Sequence, residues 1–363
     1  MHFELKGRLG VIYNGMWENR DVAEKIGVKK EKSTYKISGE VNKEEEAIAE
    51  KFKIENMELF CSKFHQAVGG QGNERNKILT MHSSSRCSLL CFYGLCKENM
   101  LKLKLDDREV YFDYSQFEFK NPVIGYPSNM DVVLVSKDRD VVLFLESKFS
   151  EHYIGAATKS SFISEQYINN EFSQHFYDEV ILQENFGLKR IPDEKTVYKR
   201  DEEGNIIGES KRKGFVLQLL ELNDEEGEAG VYLDGFKQMI SHYIGIRRRI
   251  RGEKRDSISV DKKEDSKLVL DIIKKPDTKV YLGEVIFDKF TVPKGYEDEL
   301  HPNIAMKRYG QLYEKLAEEM NLVLENDSLS NRFKILPHEL RYSEIMQKVP
   351  KLEERTKKFY GIN

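Results

Sequence analysis

The chain has 363 residues, 39% hydrophobic and 33% charged, which provides the apolar material for a large buried core and shows no bias toward a fibrous or disordered polymer. A formal charge of -4 counts mildly against a protein that coats nucleic acid by overall attraction, so contact with a polyanion has to come from local basic patches. No window approaches the length of an uncharged apolar span, and Met1 to Lys6 carries acid and base where a secretory leader is apolar; neither membrane insertion nor secretion is expected. Cys61, Cys87, Cys91 and Cys96 form no CxxC pair, which predicts reduced core thiols in a cytoplasmic protein.

Residues 1–65 mix apolar groups with charge runs such as Asn42 to Phe52 and predict a mostly helical N-terminal segment. The glycine cluster Gly69-Gly-Gln-Gly72 breaks the periodicity and lacks the Lys-Ser/Thr of a phosphate-binding loop. From Glu74 to about Met100 the apolar spacing predicts a buried helix with a break near Ser83 to Ser85; His82 to Ser85 carries no nucleophile elbow and is read as capping or packing. Strand-type sequence follows at Val110–Tyr114 through Phe119, then at 131–135 and 141–146, separated by a Pro/Gly loop at 121–129, predicting a three-stranded meander. Residues 150–230 are polar and interrupted, and read as an insertion with a hairpin turn at Glu203-Gly-Asn205.

Leu233, Phe236, Met239, Ile240, Tyr243, Ile244 and Ile246 recur at helical spacing, and this helix ends in Arg247-Arg-Arg-Ile-Arg251. Lys279 to Phe287 reads as a buried strand and Tyr309 to Leu324 as a helix, within a C-terminal segment, 291–363, expected to be helical. The core, residues 66–290, thus runs helix, three strands, helix, strand, which implies a mixed sheet with helices against it, an α/β or α+β fold.

In an antiparallel hairpin, paired residues have indices with a constant sum. The polar run Ser136 to Asp140 places the turn between Asp138 and Arg139, which puts Asp131 opposite Glu146 on one face, Cβ atoms roughly 5 Å apart, with Lys148 on that face two residues on. Both strands are otherwise apolar, so two carboxylates and a lysine there need a reason. Like charges side by side in a low-dielectric site require a cation or a proton, and oxygen ligands in an incomplete shell suit Mg²⁺ or Mn²⁺. Such an ion beside a lysine is chemistry for hydrolysing a phosphodiester. The competing reading is an ion pair of Lys148 with either acid. Other acid-x-Lys strings, at Glu4, Glu209 and Asp265, end no buried strand with an aspartate opposite.

Gly70-Gln-Gly-Asn-Glu74, Met81-His-Ser-Ser-Ser85, and Asn129-Met-Asp131 followed by Leu145-Glu-Ser-Lys-Phe-Ser-Glu151 resemble, in that order, a group of bacterial restriction endonuclease-like proteins within the PD-(D/E)XK nuclease superfamily. The resemblance implies an αβββαβ restriction-endonuclease-like core and a Mg²⁺-dependent DNA endonuclease. Asp131 and Glu146 would be metal ligands, the Ser147 carbonyl a third, and Lys148 the catalytic lysine. It also matches Glu74 to an additional acidic ligand, although an acid at a helix start is equally favoured by the macrodipole. Gln238 falls where several nuclease families place a glutamine-tyrosine pair, but Tyr243 stands five residues on rather than four; a solvated glutamine is the other reading. Glu151 either reaches the second shell of the metal or starts a helix. Arg247, Arg248, Arg249 and Arg251 form a candidate DNA phosphate contact or a solvated helix end, and Lys211-Arg-Lys213 is a second candidate. DNA is the expected partner, and a homodimer is what double-strand cleavage in this class leads one to expect. The alternative is a catalytically inactive nucleic-acid-binding protein retaining the fold.

Overall fold

The computed structural model describes residues 28–31, 34–37, 44–69, 78–80, 83–123, 128–154, 159–201, 205–220, 231–253, 266–290 and 302–362. The first elements among the described residues are a short hairpin, β1 (Val28–Glu31) and β2 (Thr34–Ile37), and two helices, α1 (Glu44–Phe52) and α2 (Met57–Ala67). Of the stretch expected to be helical between 74 and 100, residues 74–77 and 81–82 lie outside the described residues, and α3 spans Ser84–Phe92. Its N-terminus is capped by the Ser83 hydroxyl, which accepts from the Arg86 N–H at 3.1 Å.

Four strands follow where three were expected: β3 (Leu101–Leu105), β4 (Arg108–Asn121), β5 (Ser128–Ser136) and β6 (Val141–Lys148). The extra one reads Leu-Lys-Leu-Lys-Leu, with leucines buried and lysines exposed, a two-residue period that belongs to a strand on the margin of a sheet. After α4 (Glu151–Ile154), β7 (Ile163–Ser164) and α5 (Glu179–Phe186) come the long strands β8 (Leu188–Arg200) and β9 (Ile206–Leu219), then α6 (Leu233–Ile250), α7 (Lys267–Ile273) and β10 (Lys279–Ile286). The chain closes with α8 (Pro302–Glu325), β11 (Phe333–Ile335), β12 (Leu340–Arg341), α9 (Tyr342–Lys348) and α10 (Glu354–Phe359).

The central sheet is mixed and seven-stranded, ordered β11-β10-β6-β5-β4-β3, with β12 also on β10. β3 to β6 form an antiparallel meander, and β10, β11 and β12 add in parallel. The segment from 291 is therefore not purely helical: it completes one edge of the sheet. Helices flank both faces, an α+β arrangement. Against one face pack α1, α2, α3, α9 and α10 over Val132, Leu134, Leu143 and Leu145. Against the other pack α6 and α8 over Val133, Val135, Val142 and Phe144. Each of these fully buried aliphatic side chains contributes about 1.5–3 kcal/mol by leaving water.

The 150–230 segment is more than a polar insertion. Phe172, Phe176, Tyr177, Leu182, Phe186, Phe215 and Leu217 join the α6 side of the core, while β7, β9 and β8 make a separate three-stranded sheet. The predicted hairpin is present, with Arg200 paired to Ile206 across its end.

Candidate active site

The four recorded pairs of β5 and β6, Val132 with Leu145 through Val135 with Val142, have the register expected from the turn. The ladder stops one pair short of Asp131 and Glu146. There β5 leaves β6, and the Asp131 carboxylate takes the place of a backbone acceptor: its Oδ2 accepts from the Ser147 N–H at 2.7 Å. Asp131 is thus turned into the gap between the strands rather than standing squarely opposite Glu146. In an extended strand the N–H and C=O of one residue point to the same side, so the Ser147 carbonyl faces this gap as well. The Ser147 side chain lies on the other face, its hydroxyl 2.7 Å from the Tyr342 hydroxyl.

Glu146 and Lys148 follow Val142 and Phe144 on the α6 face and are both buried. Lys148 Nζ donates to Glu146 Oε1 and to Gln238 Oε1, each at 2.6 Å, and sits 5.6 Å from the Tyr232 ring centroid. Glu146 Oε2 is 2.9 Å from His242 Nε2, but neither atom has an aligned hydrogen bond. His242 Nδ1 lies 3.2 Å from the Ser128 hydroxyl. Gln238 and His242 are one turn apart on α6 and therefore share a face. Tyr243, one position round the helix, is buried against Phe176 and Phe333 instead. The residue four after the glutamine is thus a histidine, and it does face the site.

Two further carboxylates escaped the reading of the sequence. Glu284 on β10 is in register with Glu146 across the parallel pair. It is fully buried, its Oε2 accepts from the Tyr309 hydroxyl at 2.6 Å, and its Oε1 has no hydrogen bond among the described residues. Tyr309 reaches it by lying against Gly235 of α6, where a Cβ would run into the ring. Glu118 lies between Phe117 and Phe119, which pair with Val132 and Met130, and so stands level with Asp131; its φ of 50° marks an irregular point in β4. A lone acid inside the apolar run Val280 to Phe287 was the available signal for Glu284.

The electrostatics follow from this crowding. Desolvation, then the charges of Glu146 and Glu118, push the Asp131 carboxyl well above its usual range. Against the upward effect of burial, Lys148 and His242 hold Glu146 down at about 2. Burial lowers Lys148, but Glu146 first, with Tyr232, Glu284 and Glu151, more than offsets it and keeps the ammonium charged. Desolvation raises Glu284 to about 8. The site therefore holds more carboxyl groups than its one lysine can balance as carboxylates, and in the absence of a cation protons on Asp131 and Glu284 take up the excess.

The remaining expected site residues fall elsewhere. Glu74 lies outside the described residues. Glu151 caps its own turn, its Oε2 accepting from Phe149 N at 2.6 Å and Ser150 N at 2.9 Å, and acts on Lys148 only through its charge. The arginine run is not an open phosphate-binding surface. Arg247 is buried, bonded to Asp327 and to the Tyr243 hydroxyl; Arg251 donates to the same Asp327 at 2.8 Å. Arg248 and Arg249 donate to the carbonyls of Val123 and Lys120. These guanidiniums fasten α6 to the end of β4 and to the turn after α8. All four cysteines are free thiols, Cys87 and Cys91 buried and Cys61 and Cys96 half-buried.

Among the described residues no three His, Cys, Asp or Glu side chains form a cation cage. No helix among them is long and apolar enough to cross a membrane. No model of a known family, no curated protein and no solved structure matches the chain.

Proposed function

We propose that the chain is a Mg²⁺- or Mn²⁺-dependent endonuclease that hydrolyses DNA phosphodiester bonds on a restriction-endonuclease-like core of the PD-(D/E)XK kind. The observation that carries this reading is the convergence of Asp131, Glu146, the main chain of Ser147 and Lys148 at the place where β5 parts from β6. The donor set fits a hard cation: two carboxylates and a carbonyl are oxygen ligands, and Glu146 Oε2 is buried without an aligned hydrogen bond. Mg²⁺ is commonly held by only one or two carboxylates, with water completing its octahedron, so a cage of three side chains is not required.

Asp131, Glu146 and the Ser147 carbonyl would hold the ion, which supplies charge neutralisation at the phosphate and a water acidic enough to attack it. The chain's own residues do the rest. Gln238 and Glu146 fix the Lys148 ammonium from two sides, so it presents its remaining N–H to a phosphoryl oxygen or to the attacking water without paying for its own ordering. His242 Nε2 stands 2.9 Å from the far oxygen of Glu146, adding a second nitrogen beside the carboxylate. Tyr232 and the packed face of α6 keep bulk water from this end of the strand.

The test is incubation of plasmid DNA with the purified chain and Mg²⁺ or Mn²⁺, beside Lys148→Ala and Glu146→Ala. Cleavage by the wild type that is lost in both variants is expected. Equal cleavage by all three contradicts the assignment. No cleavage, with salt-sensitive DNA binding retained, favours the non-catalytic binding protein. Sedimentation with and without DNA reads whether two copies act together on the two strands.

A further inference from the structure

Within the arginine run Arg247 and Arg251 share the Asp327 carboxylate, which directs attention to positive charge elsewhere on the molecule. Beyond Pro192 and Gly214 the β8–β9 hairpin leaves the body of the protein. Residues 193–196, 198, 199, 206, 207 and 209–213 are exposed. Eight residues of extended strand make an arm about 25 Å long, and its length is paired from Asp193–Gly214 to Arg200–Ile206.

The two faces of this arm differ. On one, Glu194 faces Lys213 and Tyr198 faces Glu209, and Lys211 bridges to Glu194 at 2.7 Å; acids and bases alternate, as on any soluble ribbon. On the other, Lys195 stands directly opposite Arg212, and Lys199 opposite Gly208. Like charges directly opposite each other on adjacent strands destabilise the pair. Neither Lys195, Lys199 nor Arg212 has an ion pair among the described residues, and the acid on that face, Asp193 at the root, accepts from the Glu194 N–H. Protection of an exposed strand edge calls for charge, but not for uncompensated charge of one sign. Past the turn, whose sequence Asp201-Glu-Glu-Gly-Asn205 is acidic, Ile206 and Ile207 at the start of β9 are 54% and 66% exposed. The arm also springs from the site's own side of the molecule: Lys237, next to Gln238 on α6, is held below its ordinary pKa by burial and by the charge of Lys195, against Asp234.

We propose that the β8–β9 arm is a DNA-binding ribbon that lies along a groove of duplex DNA with its cationic face, Lys195, Lys199 and Arg212, on the phosphates. A two-stranded ribbon fits the major groove of B-form DNA, and lysine and arginine on phosphates provide affinity without sequence preference. The choice of DNA as the polyanion rests on the function proposed above; the exposed cationic face does not.

The test is fluorescence anisotropy of a labelled 30-base-pair duplex with the full chain in EDTA, across a salt series, for the wild type, K195A/K199A/R212A and the charge-conserving K195R/K199R/R212K. The alanine variant should bind at least tenfold more weakly. Its log affinity against log salt should be shallower by about 2–3, close to one per lost phosphate contact. The charge-conserving variant should bind like the wild type, which separates lost charge from lost structure. The proposal is overturned if the wild type binds no duplex, if the alanine variant binds as well as the wild type, if an RNA duplex is preferred, or if the alanine changes alter self-association and leave DNA affinity alone. Cleavage is not part of the readout. Loss of binding in the alanine variant therefore stands even in a chain that never cuts, and unchanged binding in a chain that does cut overturns the arm alone.

Discussion

The β5–β6 hairpin has charged residues at both ends, and the two ends are built on opposite terms. At the turn, Arg139 donates to Asp113 at 2.5 Å and Arg108 to Asp140 at 2.6 Å, and the Ser136 hydroxyl donates to the second oxygen of Asp140 at 2.8 Å. Asp113 and Asp140 each have their cation. At the open end Asp131, Glu146 and Glu284 gather around one ammonium, Lys148, and buried oxygens on Glu146 and Glu284 go without aligned hydrogen bonds. A buried ion costs several kcal/mol unless it is compensated. Charge at a strand end is thus no sign of chemistry in itself; the deficit of cation at one end is.

The comparison breaks most readily on activity. Lys148→Ala and Glu146→Ala should each lower metal-dependent cleavage by at least about a hundredfold, whereas Arg139→Ala at the balanced end should leave the rate within about twofold. Equal losses at the two ends would remove the distinction. Gln238→Ala frees one side of Lys148 and should cost about ten- to a hundredfold in kcat with KM for DNA little changed. A change in KM alone would make Gln238 a binding residue instead.

Stability sharpens the same contrast. Burial holds Glu284 up at about 8 against an ordinary 4.5, so between those values the folded chain keeps a proton that the unfolded chain has released. The contribution of Glu284 to stability is full below about pH 4.5 and is lost as pH rises toward 8. Glu284→Gln keeps an acceptor for Tyr309 and removes the titration. Urea unfolding at pH 5 and pH 8 should then show the wild type losing on the order of 3 kcal/mol more than the variant across that interval. Parallel profiles would mean that Glu284 titrates normally. Arg139→Ala, the smallest effect, should cost about 1 kcal/mol, since it strips a partner from the buried Asp113 while the arginine itself is one-third exposed.

How far the site could be read in the sequence depended on how local its determinants are. Ser136 to Asp140 fixed the turn, and counting back from it gave the register of β5 on β6 because both strands belong to one hairpin. Gln238 and His242 share a face by helix periodicity alone, although Tyr243 drew attention away from the histidine that occupies the favoured spacing. The splaying of β5 at Asp131 was not legible, since the turn sets the register of the two strands but not where their ladder ends. Glu284 meets Glu146 only because β10 lies parallel to β6, more than a hundred residues along the chain. The arginine run looked free because Asp327, which two of its members share, comes about eighty residues later and from a different helix end.

The claim that the carboxylate surplus is a cation site is tested most directly by calorimetric titration of Mn²⁺ into the full chain without DNA, beside Asp131→Asn and Glu146→Gln. One saturable site in the wild type, weakened at least tenfold in both variants and unaffected by Arg139→Ala, is the expected result. Absence of binding in the wild type, or the same affinity in all four proteins, would contradict it.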